Sequence, residues 1–143
     1  MKKEASPQRS GCPINIALEI FGDRWSLLIV RDLMFKGHRT YKEFAESEEG
    51  IATNILADRL QRLETHGILA SMPDPSDGRK TIYKLTPKGV DLAPVLVEMI
   101  LWGVRHEKTA APPKLVREIK ENRERFITKI RKALDDIPKQ TRQ

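Results

Sequence analysis

Apolar positions follow helical spacing along most of this chain and switch to a strand-like pattern only once. Ile14, Ala17, Leu18 and Phe21 share one face of a short helix opened by Pro13 and ended by Gly22. Asp23 stands where an N-cap belongs for a second helix, RWSLLIVRDLMF, ending near Gly37. Its Trp25, Leu28, Ile29, Leu33 and Phe35 cover more than one stripe, as in a helix around which others pack. Thr40 and Glu43 have capping-box spacing and predict a short third helix with Tyr41, Phe44 and Ala45 on its apolar side. The polar turn SEEG then closes at Gly50, whose missing side chain suits a left-handed position. In the helix that follows, about residues 52–66, Leu56, Leu60 and Leu63 fall at i, i+4 and i+7, with Asn54, Asp58, Gln61 and Thr65 roughly opposite. Gly67 ends it, and His66 lies in the last turn, where a cation is favoured.

Residues 68–72 and 81–85 flank the turn formers DPSDGR, which predicts a two-stranded hairpin with a loop longer than two residues. A lone hairpin is marginal, so it is expected to lie against the helices as a wing. Thr86-Pro87 starts a helix running to about residue 106. Its segment LAPVLVEMILWGV is apolar nearly all round, interrupted only by Glu98, which is more hydrophobic surface than one-sided packing uses. After the break TAAPP, residues 114–136 predict one long two-sided helix with Leu115, Ile119, Phe126, Ile130 and Leu134 along one stripe. The expected fold is mainly α with a small β-hairpin wing, a winged helix-turn-helix with flanking dimerisation helices. The expected divisions are a flexible N-terminal arm (1–11), the winged helix-turn-helix domain (12–106) and a charged helical C-terminal extension (107–143).

Length and composition narrow the class. A chain of 143 residues, 39% hydrophobic and 32% charged, suits one helix-rich globular domain with an added element or two. No run of 18 apolar residues exists to cross a bilayer, and MKKEASPQRSGCP has no apolar core behind its lysines, so a cytoplasmic location without membrane contact is expected. The net charge of +6 fits a nucleic-acid partner. Residues 107–143, however, hold 11 Lys and Arg against 6 Asp and Glu, so the tail supplies five of the six charges. Bulk charge does not locate a DNA surface; local placement of arginines must.

The succession of capped helix, turn, amphipathic helix and hairpin places one helix at a DNA major groove and a wing beside the backbone. Within the helix of residues 52–66, Asn54 and Gln61 can each bond adenine bidentately, and Thr53 can meet a phosphate or a thymine methyl. Asp58 can accept from a cytosine amine but is an awkward neighbour for phosphates. Arg62, on the flank, is a backbone-positioning contact. Arg59 projects nearer the packed side and has two readings, a structural ion-pair partner or a DNA contact. Arg79 and Lys80 at the wing can neutralise phosphates and release counterions. An amphipathic surface helix and a solvated loop would carry similar residues; the combination favours DNA.

These residues also match a family. The runs CPINIALEIFGDRWSLLIVRDLMFKGHRTYKEF, GIATNILADRLQRLETHGIL and YKLTPKGVDLAPVLVEMILWG resemble the HxlR family of bacterial winged-helix transcriptional regulators, relatives of the MarR type. The resemblance covers about residues 12–104. It rests on the cysteine-proline near the start, G-x-[KR]-W-[ST]-x-L-I at residues 22–29, L-x-x-R-L-x-x-L-E-x-x-G-[IL] at 56–68, and Tyr83-x-Leu85-Thr86-x-x-Gly89. It implies a homodimer on a palindromic operator in double-stranded DNA. It also implies an interface built from the helix of about residues 87–106 and N-terminal elements; here the candidates are Ile14, Leu92, Leu96, Met99, Ile100 and Trp102. Repression is expected over activation, because a dimer of this size has no separate activation domain and can act by occupying its operator. Three departures stand out: Ala52 replaces the family's usual Ser cap, which leaves Thr53 to cap or about 1 kcal/mol of capping absent; the wing reads DPSDGRKTIY rather than a proline pair before Arg and Glu-Tyr; and the tail runs past the usual end.

The single cysteine, Cys12, cannot form an intramolecular disulfide. It falls where many family members carry an N-terminal cysteine, which some of them use to sense oxidants or electrophiles, and it lies beside a helix whose N-terminal field favours a thiolate. A small apolar side chain is the other reading. Sensing would need an intermolecular disulfide or a mixed thiol adduct. His38, His66 and His106 share no ligand spacing, so no metal is expected, and no cofactor. No phosphate loop, nucleophile elbow or spaced acid-base pair points to an enzyme. Met99 and Trp102 are expected as interface core, though a dimer-groove pocket for a small aromatic effector uses the same residue types. A ligand-gated regulator and a winged-helix protein-interaction module without DNA binding are the alternative functions.

Overall fold

The computed structural model describes residues 8–135. The expected N-terminal arm lies mostly outside these residues, as does the end of the tail. Eight helices and one hairpin run in the order α1 (Pro13–Phe21), α2 (Ser26–Phe35), α3 (Tyr41–Ala45), α4 (Thr53–Thr65), β1 (Leu69–Asp74), β2 (Asp77–Leu85), α5 (Pro87–Val90), α6 (Ala93–His106), α7 (Pro113–Glu121) and α8 (Arg123–Asp135). One core joins them. It includes Ile29, Val30 and Leu33 of α2, Phe44 of α3, Leu56, Leu60 and Leu63 of α4, Leu69 and Leu85 of the hairpin, and Leu96, Val97 and Leu101 of α6.

Helix α2 begins two residues later than the sequence pattern suggests. Asp23 still supplies the capping chemistry: its carboxylate accepts from the backbone N–H groups of Trp25 (2.8 Å) and Ser26 (3.0 Å) and from the Ser26 hydroxyl. The capping box of α3 is complete, with the Thr40 hydroxyl accepting from Glu43 N and the Glu43 carboxylate from Thr40 N. The turn before α4 runs from residue 46 to 52, longer than four residues, and Gly50 takes φ +70°, a left-handed position costly for any side chain.

The hairpin loop is shorter than expected. Asp74 pairs with Asp77, leaving only Pro75 and Ser76 at the tip, where the Asp74 carboxylate accepts from Ser76 N at 2.8 Å. Register shifts just before that pair, because Pro73 has no N–H to give the ladder. Residues 78–80 therefore bulge from β2, so Arg79 and Lys80 lie on the strand rather than in the loop.

Two helices expected to be continuous are broken. Pro94 near the start of α6 cannot donate a helical N–H and its ring crowds the carbonyl one turn back, so α5 ends at Val90. In the tail, Asn122 leaves the helical region (φ −161°, ψ 95°) and its side chain accepts from Arg125 N at 3.0 Å, capping α8. The tail folds back: Ile119, Phe126, Ile130 and Leu134 join the common core. Arg131 bonds Asp91 at 2.7 Å, and Arg123 pairs with Glu98 of α6.

Candidate nucleic-acid interface

Helix α4 divides cleanly by burial. Leu56, Leu60 and Leu63 are buried, while Thr53, Asn54, Asp58, Gln61 and Arg62 are exposed. The N-cap is Ala52, with no side-chain hydrogen bond; Thr53 is the first helical residue and does not cap, so the first backbone N–H groups have no side-chain partner. At the other end Lys88 Nζ donates to His66 O at 2.8 Å. Lysine, rather than His66, is the cation at that terminus. Burial, then Lys88 and Arg62, push the His66 pKa down.

Two ion-pair networks hold the helix-turn-helix from beneath. Arg59 Nε reaches Asp23 Oδ1 at 3.0 Å, and Arg59 also pairs with Asp58. Arg59 thus adopts the structural reading, and Asp58 is engaged within α4. Burial opposes ionisation of Asp23, but the Ser26 hydroxyl, two backbone N–H groups and Arg59 outweigh it and hold the carboxyl at about 2. In the second network Arg31 bonds Glu49 through both terminal nitrogens (2.6 and 2.8 Å) and buried Asp32 at 2.7 and 3.0 Å. Asp32 also accepts from the Ser47 hydroxyl at 2.6 Å. The Arg31 hydrogen bond lowers the Glu49 carboxyl to about 2. Helix α2 is so tied to the turn between α3 and α4. A cavity of about 10 Å³ sits there, bordered by Trp25, Arg31, Asp32, Ser47 and Glu49, too small for an organic effector.

The wing is bound to α3 and α4 by a separate set of contacts. Tyr83 N donates to Arg39 O at 2.8 Å, and Thr40 bridges Ile82. Ser71 of β1 donates its hydroxyl to Glu64 of α4 at 2.8 Å. Arg79 and Lys80 are both exposed; the Arg79 Nε contacts Asp77 at 3.1 Å and the side chain remains 93% exposed. Cations on the bulge and the polar face of α4 thus belong to one rigid unit.

The candidate interface residues separate into two sets. Ile14 on α1, and Met99 and Trp102 on α6, are 70%, 52% and 61% exposed. Leu18 on α1 and Val95 on α6 are exposed as well and were not among the candidates, although each lies one helical turn from a candidate on its own helix. Leu92 and Leu96 must be corrected to core residues: at 8% and 6% exposure their side chains are consumed within the protomer, and Ile100 is partly buried against the same core. Cys12 is exposed, at the N-cap of α1. Its neighbourhood is polar: Cys12 N donates to Ser10 Oγ at 3.3 Å.

Comparison with known proteins decides the family. The profile of the HxlR-like helix-turn-helix matches residues 20–111, which includes α2 to α6 and all of the wing. The chain belongs to the HxlR-like helix-turn-helix family. It is 36% identical over 88 residues to an uncharacterised HTH-type transcriptional regulator of Synechocystis, covering 62% of this chain and 64% of that protein. It thus spans under two thirds of that relative's length. It is 38% identical over 93 residues to the HTH-type transcriptional regulator YodB of Bacillus subtilis, covering 64% and 82%. The reduced form of YodB superposes with a TM-score of 0.56 at 33% identity, covering 68% of this chain and 95% of that one. The redox regulator HypR in its oxidised form gives 0.60 at 26% identity, covering 68% and 100%. YodB and HypR share this chain's fold over about two thirds of its length, and α7 and α8 lie beyond the residues matched by the family.

Proposed function

We propose that this HxlR-type protein is a DNA-binding transcriptional regulator that acts as a homodimer on a palindromic operator, repressing by occupancy. The observation that carries the reading is the burial split of α4. Three leucines are sealed inside, and Thr53, Asn54, Gln61 and Arg62 stand exposed on a helix whose first N–H groups no side chain occupies. Asn54 and Gln61 read base edges, Thr53 and Arg62 position the helix on the backbone, and Arg79 and Lys80 supply phosphate contacts from the wing. Asp58, held by Arg59, sets the position of that arginine more than it reads a base. Dimerisation is supported by Val95, Met99 and Trp102, spaced i, i+4 and i+7 on α6, together with Ile14 and Leu18 on α1; this is apolar area that a second copy would cover.

Asn54→Ala and Arg79→Ala test the assignment of roles on a duplex selected by the full chain from a random pool. The Asn54 variant loses about 1 to 3 kcal/mol of preference at one base pair, and the Arg79 variant weakens all duplexes alike and flattens the salt dependence. Equal loss on every duplex for Asn54→Ala contradicts base reading; no salt-dependent binding of any duplex by the intact protein favours a protein-interaction module instead.

A second reading concerns control. Cys12 is exposed at the start of α1, and the solved structures of YodB include its reduced, diamide-treated and quinone-bound forms. We infer that thiol modification at Cys12 changes operator affinity. Two Cys12 thiols, one per protomer, would lose two protons and two electrons to a quinone or diamide and form an inter-subunit disulfide, or one thiol would add to the quinone. Diamide should alter DNA binding of the intact protein and leave Cys12→Ser unaffected. A response that persists in Cys12→Ser points to a small effector at the dimer groove.

A further inference from the structure

Residues 39–41 are a junction at which the wing, α3 and α4 meet. Arg39 O accepts from Tyr83 N of β2, Thr40 bridges Ile82, and the Glu43 carboxylate accepts from the N–H groups of Arg39 (2.9 Å) and Thr40 (3.1 Å). The next residue, Tyr41, crosses to α4: its hydroxyl donates to the Thr53 carbonyl at 2.8 Å. Thr53 is the first residue of α4, the helix that lacks a capping side chain.

A carbonyl oxygen has two lone pairs, and in a helix one of them is engaged by the N–H four residues on. The Tyr41 hydroxyl takes the second. Helix starts are ordinarily fixed from the donor side, by a Ser, Thr, Asp or Asn cap that occupies the N–H of the second or third residue. Here the first turn is held from its acceptor side, and the N–H groups stay open. The side chain that does this is anchored at its base, since Tyr41 is the first residue of a helix with a complete capping box whose backbone is tied to the wing strand. Tyr41 is 37% exposed, so the bond lies at the edge of the surface beside Thr53 and Asn54 rather than in the core.

We propose that Tyr41 is a positioning residue for DNA recognition: through the Thr53 carbonyl its hydroxyl fixes where the first turn of α4, with Thr53 and Asn54, stands relative to the wing. This inference rests on the reading of α4 as the base-reading helix. The consequence is selective. Losing the hydroxyl lets the first turn shift or fray, which degrades contacts needing bidentate geometry and leaves phosphate contacts from the wing intact.

Tyr41→Phe removes only the hydroxyl, and Ala52→Ser adds the absent cap. Both singles and the double variant, in the full chain, are titrated against the duplex selected by the wild type and a scrambled duplex, and their melting temperatures recorded. The expected result for Tyr41→Phe is a fall of about 2- to 10-fold in the ratio of selected to scrambled affinity, the worth of one hydrogen bond, with scrambled affinity and salt slope unchanged. In Tyr41→Phe/Ala52→Ser the melting temperature recovers and the ratio does not, because a cap restores helix stability without restoring the link to α3. An unchanged ratio in Tyr41→Phe overturns the proposal, as does a parallel loss on both duplexes or a ratio that the added cap restores. A wild-type protein that prefers no duplex over the scrambled one overturns the base-reading role of α4 itself.

Discussion

The guanidinium of Arg59 bonds the carboxylate of Asp23 at 3.0 Å across 36 positions of sequence, joining the middle of α4 to the turn between α1 and α2. The pair ties α4 to the segment that joins α1 to α2.

Breaking that pair should lower operator affinity without loss of a DNA contact. Arg59→Met keeps the aliphatic stem and leaves Asp23 without its partner, and is expected to cost about 1 kcal/mol of stability. A double-mutant cycle with Asp23→Asn should return a coupling of at least about 0.5 kcal/mol in chemical denaturation, and strict additivity would show that the two act independently.

Acid should destabilise the protein over a defined window. The carboxyls of Asp23 and Glu49 are held at about 2, below their ordinary values of 3.8 and 4.5. Because folding depresses them, the unfolded chain binds more protons at intermediate pH; their contribution is complete above about pH 4.5 and is lost as pH falls towards 2. Melting temperature against pH should therefore drop through this range, and the drop should be shallower in Glu49→Gln, which starts from a lower plateau. An equal slope in the variant would remove the Arg31–Glu49 pair as the cause.

Gly89 should tolerate no side chain. A Cβ there would overlap the Ile68 carbonyl, at the point where α5 crosses the root of the wing and the Thr86 hydroxyl accepts from Gly89 N at 3.1 Å. Gly89→Ala is expected to destabilise by about 1 to 3 kcal/mol, in the range of overpacked sites. Gly78→Ala, where a Cβ meets nothing, is the control. Similar denaturation midpoints for the two would contradict the close approach.

The apolar stripe on α6 should govern association. Trp102→Glu places a charge on the exposed stripe that Trp102 shares with Val95 and Met99, and sedimentation should then report monomers at concentrations where the wild type is dimeric. Leu96→Ala instead should cost about 2 to 4 kcal/mol of fold stability, because that side chain is core. Dimers of undiminished affinity in Trp102→Glu would move the interface elsewhere.

Local chemistry was readable in the chain, and long-range pairing was not. The capping box at Thr40 and Glu43, the left-handed Gly50, the Thr86-Pro87 start and the buried row Leu56, Leu60 and Leu63 each depend on residues within one or two turns, and each stands as its spacing implies. Pro94 and Asn122 carried readable signals for the two helix breaks, but continuous apolar stripes on either side masked them. The inward placement of Leu92 and Leu96 depends on how α6 packs into the common core, which no local pattern encodes. The same holds for Arg59–Asp23, Arg31–Glu49 and Tyr41–Thr53, partners 12 to 36 positions apart. For the candidate DNA surface, residue types gave the candidates, and burial on α4 is what separates the exposed side chains from the sealed ones.

Footprinting the intact protein on duplexes it selects from a random pool tests the central claim most directly. Two protected half-sites related by a two-fold axis, with centres about 10 base pairs or a multiple apart and one dimer bound per duplex, are the result expected of a dimeric reader that places α4 in successive major grooves. A single unsymmetric footprint at one protomer per duplex, or protection without sequence preference, would contradict it.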